Sequence, residues 1–323
     1  MAGSDCSCAE CASDECLVEI RGLVKRYGSR KAIDGVDLTV QQGEVLGLLG
    51  PNGAGKSTTM AVLSTLTSFD AGTISLCGLR LPRDAARVKR LLGIVPQELA
   101  LYPSLSGTQN LSFFGRIYGL RGRALSERIA RVLEIVGLSN RARDPVRSYS
   151  GGMQRRLNMA ASLLHRPRIV LLDEPMVGVD PQSRNLLLEH IERMRAECHT
   201  MIYTTHNMDE AARLCDRVAI MDGGRILAVD TTAELLKLLG SGVIHLACSG
   251  QESMAAPLAE LESVRSLDTS DGVLRIRVSD TQAALLEITR LCHERSATIH
   301  SLEALEPNLE SVFLHLTGKS LRD

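Results

Sequence analysis

Nine residues from Gly50 to Thr58, GPNGAGKST, follow the apolar run at 45–49 and match the spacing G-x₄-G-K-[ST]. Such glycines let the backbone curl until several N–H groups point inward, and a helix starting at the loop adds its positive end. Lys56 is expected to contact the β- and γ-phosphates, and Ser57 to be a ligand of a bridging Mg²⁺. The pattern predicts a phosphate-binding loop formed by Gly50, Pro51, Asn52, Gly53, Ala54, Gly55, Lys56, Ser57 and Thr58.

A pair of acids ends a second apolar run, IVLLDEP at 169–175. Asp173 falls at the carboxyl end of the predicted strand, where α/β proteins bind ligands, so we expect it to hold the Mg²⁺. Glu174 is a candidate base for an attacking water. Because a buried acid pair without a function would be costly, the segment predicts hydrolysis of a nucleoside triphosphate with Glu174 polarising water.

A second candidate anion site lies at 148–157, SYSGGMQRRL, far from Lys56 in the sequence. Ser150 and the amides of Gly151 and Gly152 begin an amphipathic helix and could hold an anion as the first loop does. Two such sites and one nucleotide suggest that the second site binds the nucleotide of a neighbouring subunit. Arg155 and Arg156 are expected to form a solvated face beside it.

Composition excludes several function classes. The chain has 323 residues and a net charge of −1, with a sequence pI of about 6.7. No basic field favours nucleic acid or an anionic membrane, so no nucleic-acid partner is expected. No apolar run approaches the roughly 18 residues of a membrane span, so a membrane function would need another subunit to supply the spans.

Four of the nine cysteines fall within the first 16 residues: Cys6, Cys8, Cys11 and Cys16. Closely spaced thiolates suit a soft metal ion or a redox sensor. Their spacing matches no standard zinc pattern and no histidine lies nearby, so a disordered tail over 1–16 is the alternative.

Alternation of strand-like and helix-like segments predicts an α/β domain with a parallel sheet. Residues 169–173 and 201–206 are short apolar runs typical of buried strands, and the helical stretch 181–198 joins them. We assign 17–242 to this domain and expect residues 100–166 to be mainly helical. After the glycines near 240, the segments follow a βαββαβ order, which predicts a small α+β domain over 243–323.

Six motifs in collinear order resemble those of the ATP-binding subunit of an ABC transporter, from about Cys16 to Leu239. They are GPNGAGKST (Walker A), VPQ (Q-loop), YSGGMQ (signature), LLDEP (Walker B), GVDP (D-loop) and TTH (switch histidine). Segments such as YSGGMQRRL and PNLESVFLHLTG are similar to the ATPases of ABC-2 type exporters, including daunorubicin/doxorubicin-resistance subunits. Met176 and Val179 depart from the usual Thr and Leu of the family.

The resemblance implies an ABC-type P-loop NTPase fold, with a RecA-like core, an antiparallel β subdomain and a helical subdomain. It implies ATP and Mg²⁺ as ligands, with Ser57, Gln97 and Asp173 around the metal and Tyr27 against the adenine. Catalysis would fall to Glu174, Gln97 and His206. The signature residues Ser150, Gly151, Gly152 and Gln154 would bind the ATP of a second ATPase subunit, and Asp180 would lie at the dimer interface.

The resemblance also implies partners and a location. A separate integral membrane permease would form the channel, and two ATPase chains, expected to be a homodimer, would bind it at the cytoplasmic face of the membrane. A soluble ABC ATPase acting in translation or DNA maintenance is the main alternative. An ATP-dependent regulator that senses metal or redox state through the cysteine-rich segment is a third interpretation.

Overall fold

The computed structural model describes residues 15–239, 242–270, 273–305 and 308–318. The strands, in chain order, are β1 (Cys16–Tyr27), β2 (Arg30–Gln41), β3 (Val45–Leu49), β4 (Ala71–Leu76), β5 (Leu79–Leu81), β6 (Leu92–Val95), β7 (Ile169–Asp173), β8 (Thr200–Thr205), β9 (Arg217–Asp222), β10 (Arg225–Asp230), β11 (Gly242–Cys248), β12 (Val264–Ser270), β13 (Val273–Val278) and β14 (Ile299–Leu305). The α-helices are α1 (Lys56–Leu63), α2 (Ala85–Val88), α3 (Gly107–Ile117), α4 (Gly122–Ile135), α5 (Gly151–Ser162), α6 (Pro181–Ala196), α7 (Met208–Leu214), α8 (Thr232–Lys237), α9 (Gln251–Ala259), α10 (Thr281–Glu294) and α11 (Leu309–Thr317).

The central sheet has the strand order β10-β9-β3-β8-β7-β6. Strands β9, β3, β8, β7 and β6 run parallel, so their carboxyl ends meet at one edge. Strands β3 and β8 are buried along their whole length, which explains why they are continuous apolar or threonine-containing runs rather than alternating patterns. This sheet edge collects the loops that follow β3, β6, β7 and β8.

A second sheet is antiparallel and has the strand order β2-β1-β4-β5. Strands β1 and β2 precede the phosphate loop in the sequence, and β4 and β5 follow it. One face of β1 and β2 is apolar and packs into a core shared with β3, β7 and α1, through residues such as Ile20, Leu38, Leu48 and Leu63. Burial alternates along most of β1 and β2, as expected for a half-buried sheet, and the alternation is interrupted where the pairing register shifts.

Helices dominate residues 107–162, as the periodicity suggests, but the segment is not continuously helical. Between α4 and α5, residues 136–150 contain only two short 3₁₀ turns, at Ser139–Arg141 and Val146–Ser148. Helix α3 begins with a capping box, in which the Ser106 hydroxyl accepts from the backbone N–H of Gln109 and the Gln109 side chain accepts from the N–H of Ser106.

Residue contacts divide the chain into two compact units after Val229. In the second unit, β11, α9, β12, β13, α10 and β14 follow one another, and the antiparallel sheet has the order β12-β13-β11-β14. Its separate core includes Ile244, Leu258, Ile276 and Ile288. The division lies before residue 242, where the sequence suggests a boundary, because α8 packs against α11.

Three of the four clustered cysteines, Cys6, Cys8 and Cys11, lie outside the described residues. Cys16 begins β1, is exposed, and donates from its Sγ to the carbonyl of Val18 at 3.2 Å. Over the ranges that the structure describes, no group of three or more histidine, cysteine, aspartate or glutamate side chains is arranged to hold a metal ion. In the same ranges, no helix combines the length and the apolar character that crossing a bilayer requires.

Candidate functional site

The glycine-rich loop connects the carboxyl end of β3 to the amino end of α1. Gly53 and Gly55 have φ values of 83° and 109°, in the region that residues with a Cβ rarely adopt. A Cβ on Gly55 would also lie 2.7 Å from the carbonyl oxygen of Ala32. The loop therefore requires glycine at this position on both conformational and steric grounds, and its curl directs the start of α1 toward the sheet edge.

Lys56 is the cation of this loop, and its side chain is only 4% exposed. Its Nζ donates to the carbonyls of Gly50 at 2.7 Å and Pro51 at 3.1 Å, and lies 3.2 Å from Glu174 Oε1. Taking both charges out of water is costly unless each is paired, and here each is. The arrangement holds an ammonium group at the mouth of the loop, where an anionic ligand could contact it.

Ser57 and Asp173 meet although 116 residues separate them. The Ser57 Oγ donates to Asp173 Oδ1 at 3.1 Å. Hydroxyl and carboxylate oxygens are the hard donors that Mg²⁺ prefers, so this pair fits the metal that the sequence predicts. A third side chain, which sequence reasoning did not identify, joins the pair: Thr204 Oγ1 donates to the same Asp173 oxygen at 2.7 Å.

Glu174 occupies the centre of the site. Its second oxygen, Oε2, lies 3.4 Å from His206 Nδ1, while Oε1 faces Lys56. The Glu174 side chain is 8% exposed, whereas the His206 side chain is 45% exposed. Glu174 and His206 line a common pocket, where the carboxylate could accept a proton from a water.

A cavity of about 340 Å³ opens over the loop. It brings the predicted residues Tyr27 and Gln97 together with the phosphate loop and Glu174, and Arg30 also lines it although no sequence motif indicated this residue. Its complete lining is Tyr27, Arg30, Ala32, Asn52, Gly53, Gly55, Lys56, Ser57, Thr58, Gln97 and Glu174. The Tyr27 side chain is exposed, so its ring can be reached by a planar ligand.

The loop that carries His206 is fixed by a buried acid, Glu210. Its Oε2 accepts from the hydroxyls of Tyr203 at 2.8 Å and Thr205 at 2.7 Å, and its Oε1 accepts from Arg184 at 2.5 Å. A carboxylate with three donors is well compensated for burial. These bonds connect the histidine loop to α6, the helix that begins next to Asp180.

The signature residues form the start of α5 and do not line the cavity over the phosphate loop. Ser150 is the N-cap and accepts from the backbone N–H of Met153 at 3.3 Å. Gln154 Nε2 donates to the carbonyl of Tyr149 at 3.2 Å. Asp180 caps α6, and the backbone N–H of Ser183 lowers the pKa of its carboxyl group.

The expectation that Arg155 and Arg156 form a solvated face is wrong. Arg155 is 5% exposed, and its Nη1 and Nη2 donate to the carbonyls of Pro96 at 2.9 Å and Val177 at 3.2 Å. Arg156 donates to the carbonyl of Val136 at 2.9 Å. Sequence patterning cannot distinguish a solvated arginine from one whose guanidinium satisfies loop carbonyls in a neighbouring segment.

Comparisons with known proteins identify the family of the chain. A family model described as ABC transporter matches residues 33–177. The linearmycin resistance ATP-binding protein LnrL of Bacillus subtilis (strain 168) is 41% identical over 312 residues, which cover 95% of this chain and 100% of that protein. Nod factor export ATP-binding protein I of Ralstonia nicotianae is 38% identical over 317 residues, with 95% of each chain covered.

A solved structure of the ATP binding subunit of an ABC transporter has the same fold, with a TM-score of 0.62 and 29% identity over 69% of this chain and 92% of that chain. The family and the fold class that the motifs predicted are thereby confirmed. The chain belongs to the ABC transporter family, as one of its ATP-binding and ATP-hydrolysing chains.

Proposed function

We propose that this ATPase powers export of a small molecule, such as a drug or a lipid, through a separate ABC-2 type permease. The names of its relatives support export, since one confers linearmycin resistance and another exports Nod factor. We place the chain at the cytoplasmic face of the membrane, bound to the permease and paired with a second copy of itself. The substrate would contact the permease rather than this chain.

The proposed hydrolytic mechanism rests on the position of the Glu174 carboxylate. One of its oxygens faces Lys56 and the other faces His206. We assign the general base to Glu174, which takes a proton from the attacking water. Lys56 and the amides of the phosphate loop hold the β- and γ-phosphates, and His206 stabilises the charge that develops on the γ-phosphate.

We assign further roles to residues that line the cavity. Tyr27 stacks on the adenine, and Gln97 contacts the nucleotide and the metal shell. Ser57 and Asp173, with Gln97, would hold Mg²⁺, which neutralises phosphate charge when bound. Arg30 adds a cation on the side of the cavity next to Tyr27.

We assign the second anion site, Ser150 to Gly152 with Gln154, to the ATP of the partner subunit, and Asp180 to the interface between the two chains. Nucleotide is then part of the dimer interface, because its phosphates satisfy donors from both chains. Any ligand that binds only the closed dimer stabilises that dimer, so ATP closes it and cleavage of the γ-phosphate weakens it. This cycle of closing and opening drives the permease.

The test is Glu174→Gln, which keeps the size of the side chain and removes its basicity. We expect ATP binding to be retained, turnover to fall at least about a hundredfold, and a stable dimer to form only with MgATP. Turnover is measured by phosphate release and association by sedimentation velocity. Wild-type turnover in this variant would remove Glu174 as the base.

Glu44→Gln is the matched control. Glu44 is also a buried glutamate, at 8% exposure, and its Oε1 pairs with Arg217 at 3.1 Å. It precedes β3, so it lies at the opposite end of that strand from the phosphate loop. This variant should lose stability and keep both turnover and the wild-type response to MgATP.

Export is tested by purifying the tagged full chain from detergent-solubilised membranes of its own cells and identifying bound proteins by mass spectrometry. We expect a polytopic membrane protein to co-purify and to be lost when the chain is absent. Co-purification of ribosomes, or turnover stimulated by DNA, would instead support the non-transport alternative.

A further inference from the structure

Thr204 is a buried polar side chain that lies between the two acids of the site. It is the penultimate residue of β8, has no exposed surface, and pairs in parallel register with Asp173 of β7. Its hydroxyl uses both of its hydrogen-bonding functions: it donates to Asp173 Oδ1 at 2.7 Å and accepts from the backbone N–H of Glu174 at 2.9 Å. One side chain therefore contacts both acidic residues.

The bond to Glu174 holds a strained backbone. Glu174 has a φ of 42°, in the left-handed region that non-glycine residues rarely occupy. Such a conformation persists only where surrounding contacts enforce it, and the Thr204 hydroxyl accepts the one backbone N–H that belongs to this residue. The direction in which the Glu174 side chain leaves the backbone, toward Lys56 and His206, depends on this conformation.

The bond to Asp173 restricts the second acid. Asp173 Oδ1 accepts from both Ser57 Oγ, at 3.1 Å, and Thr204 Oγ1. Two donors from different elements, α1 and β8, restrict the position of this oxygen more than either could alone. Hydrogen bonds to a carboxylate that binds a metal ion also orient that carboxylate. The bond from Thr204 therefore affects the geometry with which Asp173 would bind its ligand.

We propose that Thr204 is a positioning residue for ATP hydrolysis, whose hydroxyl sets the orientation of Glu174 and Asp173 together. The inference rests on the proposed role of Glu174 as the base. Thr204 is not among the residues that line the cavity over the phosphate loop, so we expect it to act through the two acids. Its effect is on the geometry of the chemical step, so it should appear in kcat and leave the KM for ATP almost unchanged.

The experiment compares Thr204→Val, Thr204→Ser and Thr200→Val in the full chain. Valine keeps the branched shape that the strand requires and removes the hydroxyl, whereas serine retains the hydroxyl. Thr200 is a matched control on the same strand: it is buried, and its Oγ1 accepts from the backbone N–H of Gly43 at 2.8 Å, at the other end of β8. Thr204→Val loses two buried hydrogen bonds and Thr200→Val loses one, so we expect the first variant to be somewhat less stable, and kcat is compared under conditions in which both variants are fully folded.

We expect Thr204→Val to lower kcat roughly ten- to a hundredfold, with the KM for ATP within about threefold of wild type. Thr204→Ser should recover most of the lost rate, and Thr200→Val should stay within about twofold of wild type. If Thr204→Val does not fold, Thr204→Ala and Thr200→Ala allow the same comparison.

Two results would overturn the inference while leaving the role of Glu174 intact. One is equal kcat in Thr204→Val and Thr200→Val, and the other is failure of Thr204→Ser to recover the rate. Glu174→Gln is measured alongside, because wild-type turnover in that variant would instead refute the proposed base. The two failures are therefore distinguishable in one set of assays.

Discussion

Arg155 offers a sharp test of how the loops of the site are held together. Its guanidinium donates to the carbonyl of Pro96, the residue before Gln97, and to the carbonyl of Val177, in the loop between Glu174 and α6. Arg155→Met keeps an unbranched side chain of similar length and removes both bonds. The loop that carries Gln97 and the loop that leads to Asp180 would then lose their common attachment to α5.

The size of the effect follows from these contacts. Each hydrogen bond from a charged donor contributes about 1.5–3 kcal/mol, and two are lost. Burial of the guanidinium, which lowers its pKa, opposes folding, and the methionine removes this cost. We therefore expect the free energy of unfolding to fall by about 1–3 kcal/mol. A displaced Gln97 should lower kcat by about ten- to a hundredfold.

Arg156→Met is the control for Arg155→Met. Arg156 lies on the same helix and donates to one carbonyl, that of Val136 at the end of α4, which is remote in sequence from the Gln97 loop. Urea unfolding measures stability, and phosphate release measures turnover. Arg156→Met should lose stability with nearly normal kcat. If both variants lose turnover in proportion to their stability, the reasoning that Arg155 fixes the Gln97 loop is wrong.

Two further predictions concern α5 and α6. A Cβ on Gly152 would lie 2.1 Å from the Cβ of Ser183, whereas the nearest atom to a Cβ on Gly151, the carbonyl oxygen of Gly178, would be 3.9 Å away. Gly152→Ala should therefore lower the free energy of unfolding in urea by about 1–3 kcal/mol, and Gly151→Ala should not. Burial, with Arg193 nearby, lowers the pKa of His190 to about 4, from an ordinary 6.5. The folded state therefore favours the neutral imidazole. The stability that this preference contributes is fully present above pH 6.5 and is lost as the pH falls toward 4. Between pH 6.5 and 4, His190→Gln should lose less stability than wild type, by at most about 1.4 kcal/mol per pH unit. Identical dependence of stability on pH in the two proteins would contradict this prediction. Equal losses of stability in Gly152→Ala and Gly151→Ala would contradict the prediction for the glycines.

Local sequence was sufficient for the parts of the site that are continuous in the chain. The phosphate loop needs glycines at positive φ and a cation before the helix, and both requirements are visible within nine residues. The acids at 173 and 174 end an apolar run, and a run of that kind in an α/β protein ends at the ligand-binding edge. Periodicity and turn residues carry this information because they act over a few residues.

Contacts between distant segments could not be predicted in this way. Thr204 lies opposite Asp173 only because β7 and β8 are adjacent and parallel with a particular register. The sequence of neither strand indicates which strand pairs with it. Arg155 is buried because two loop carbonyls from other segments approach it, although its place on an amphipathic helix suggested exposure. Arg30 lines the cavity because β1 and β2 bring it beside the loop. In each case tertiary pairing, rather than local pattern, decided the environment.

These distant contacts also suggest how the site responds to a nucleotide. Glu174 is tied to α1 through Lys56, to the histidine loop through His206, and to β8 through Thr204. Arg155 ties α5, whose first residues belong to the signature, to the loop after β6 and to the loop that contains Glu174. A triphosphate that competes with Glu174 for the Lys56 ammonium must therefore disturb several loops at once. Packed elements move between discrete arrangements rather than deform continuously. Loss of the γ-phosphate beside Glu174 can therefore shift the attached loops and change the surface that a second subunit contacts.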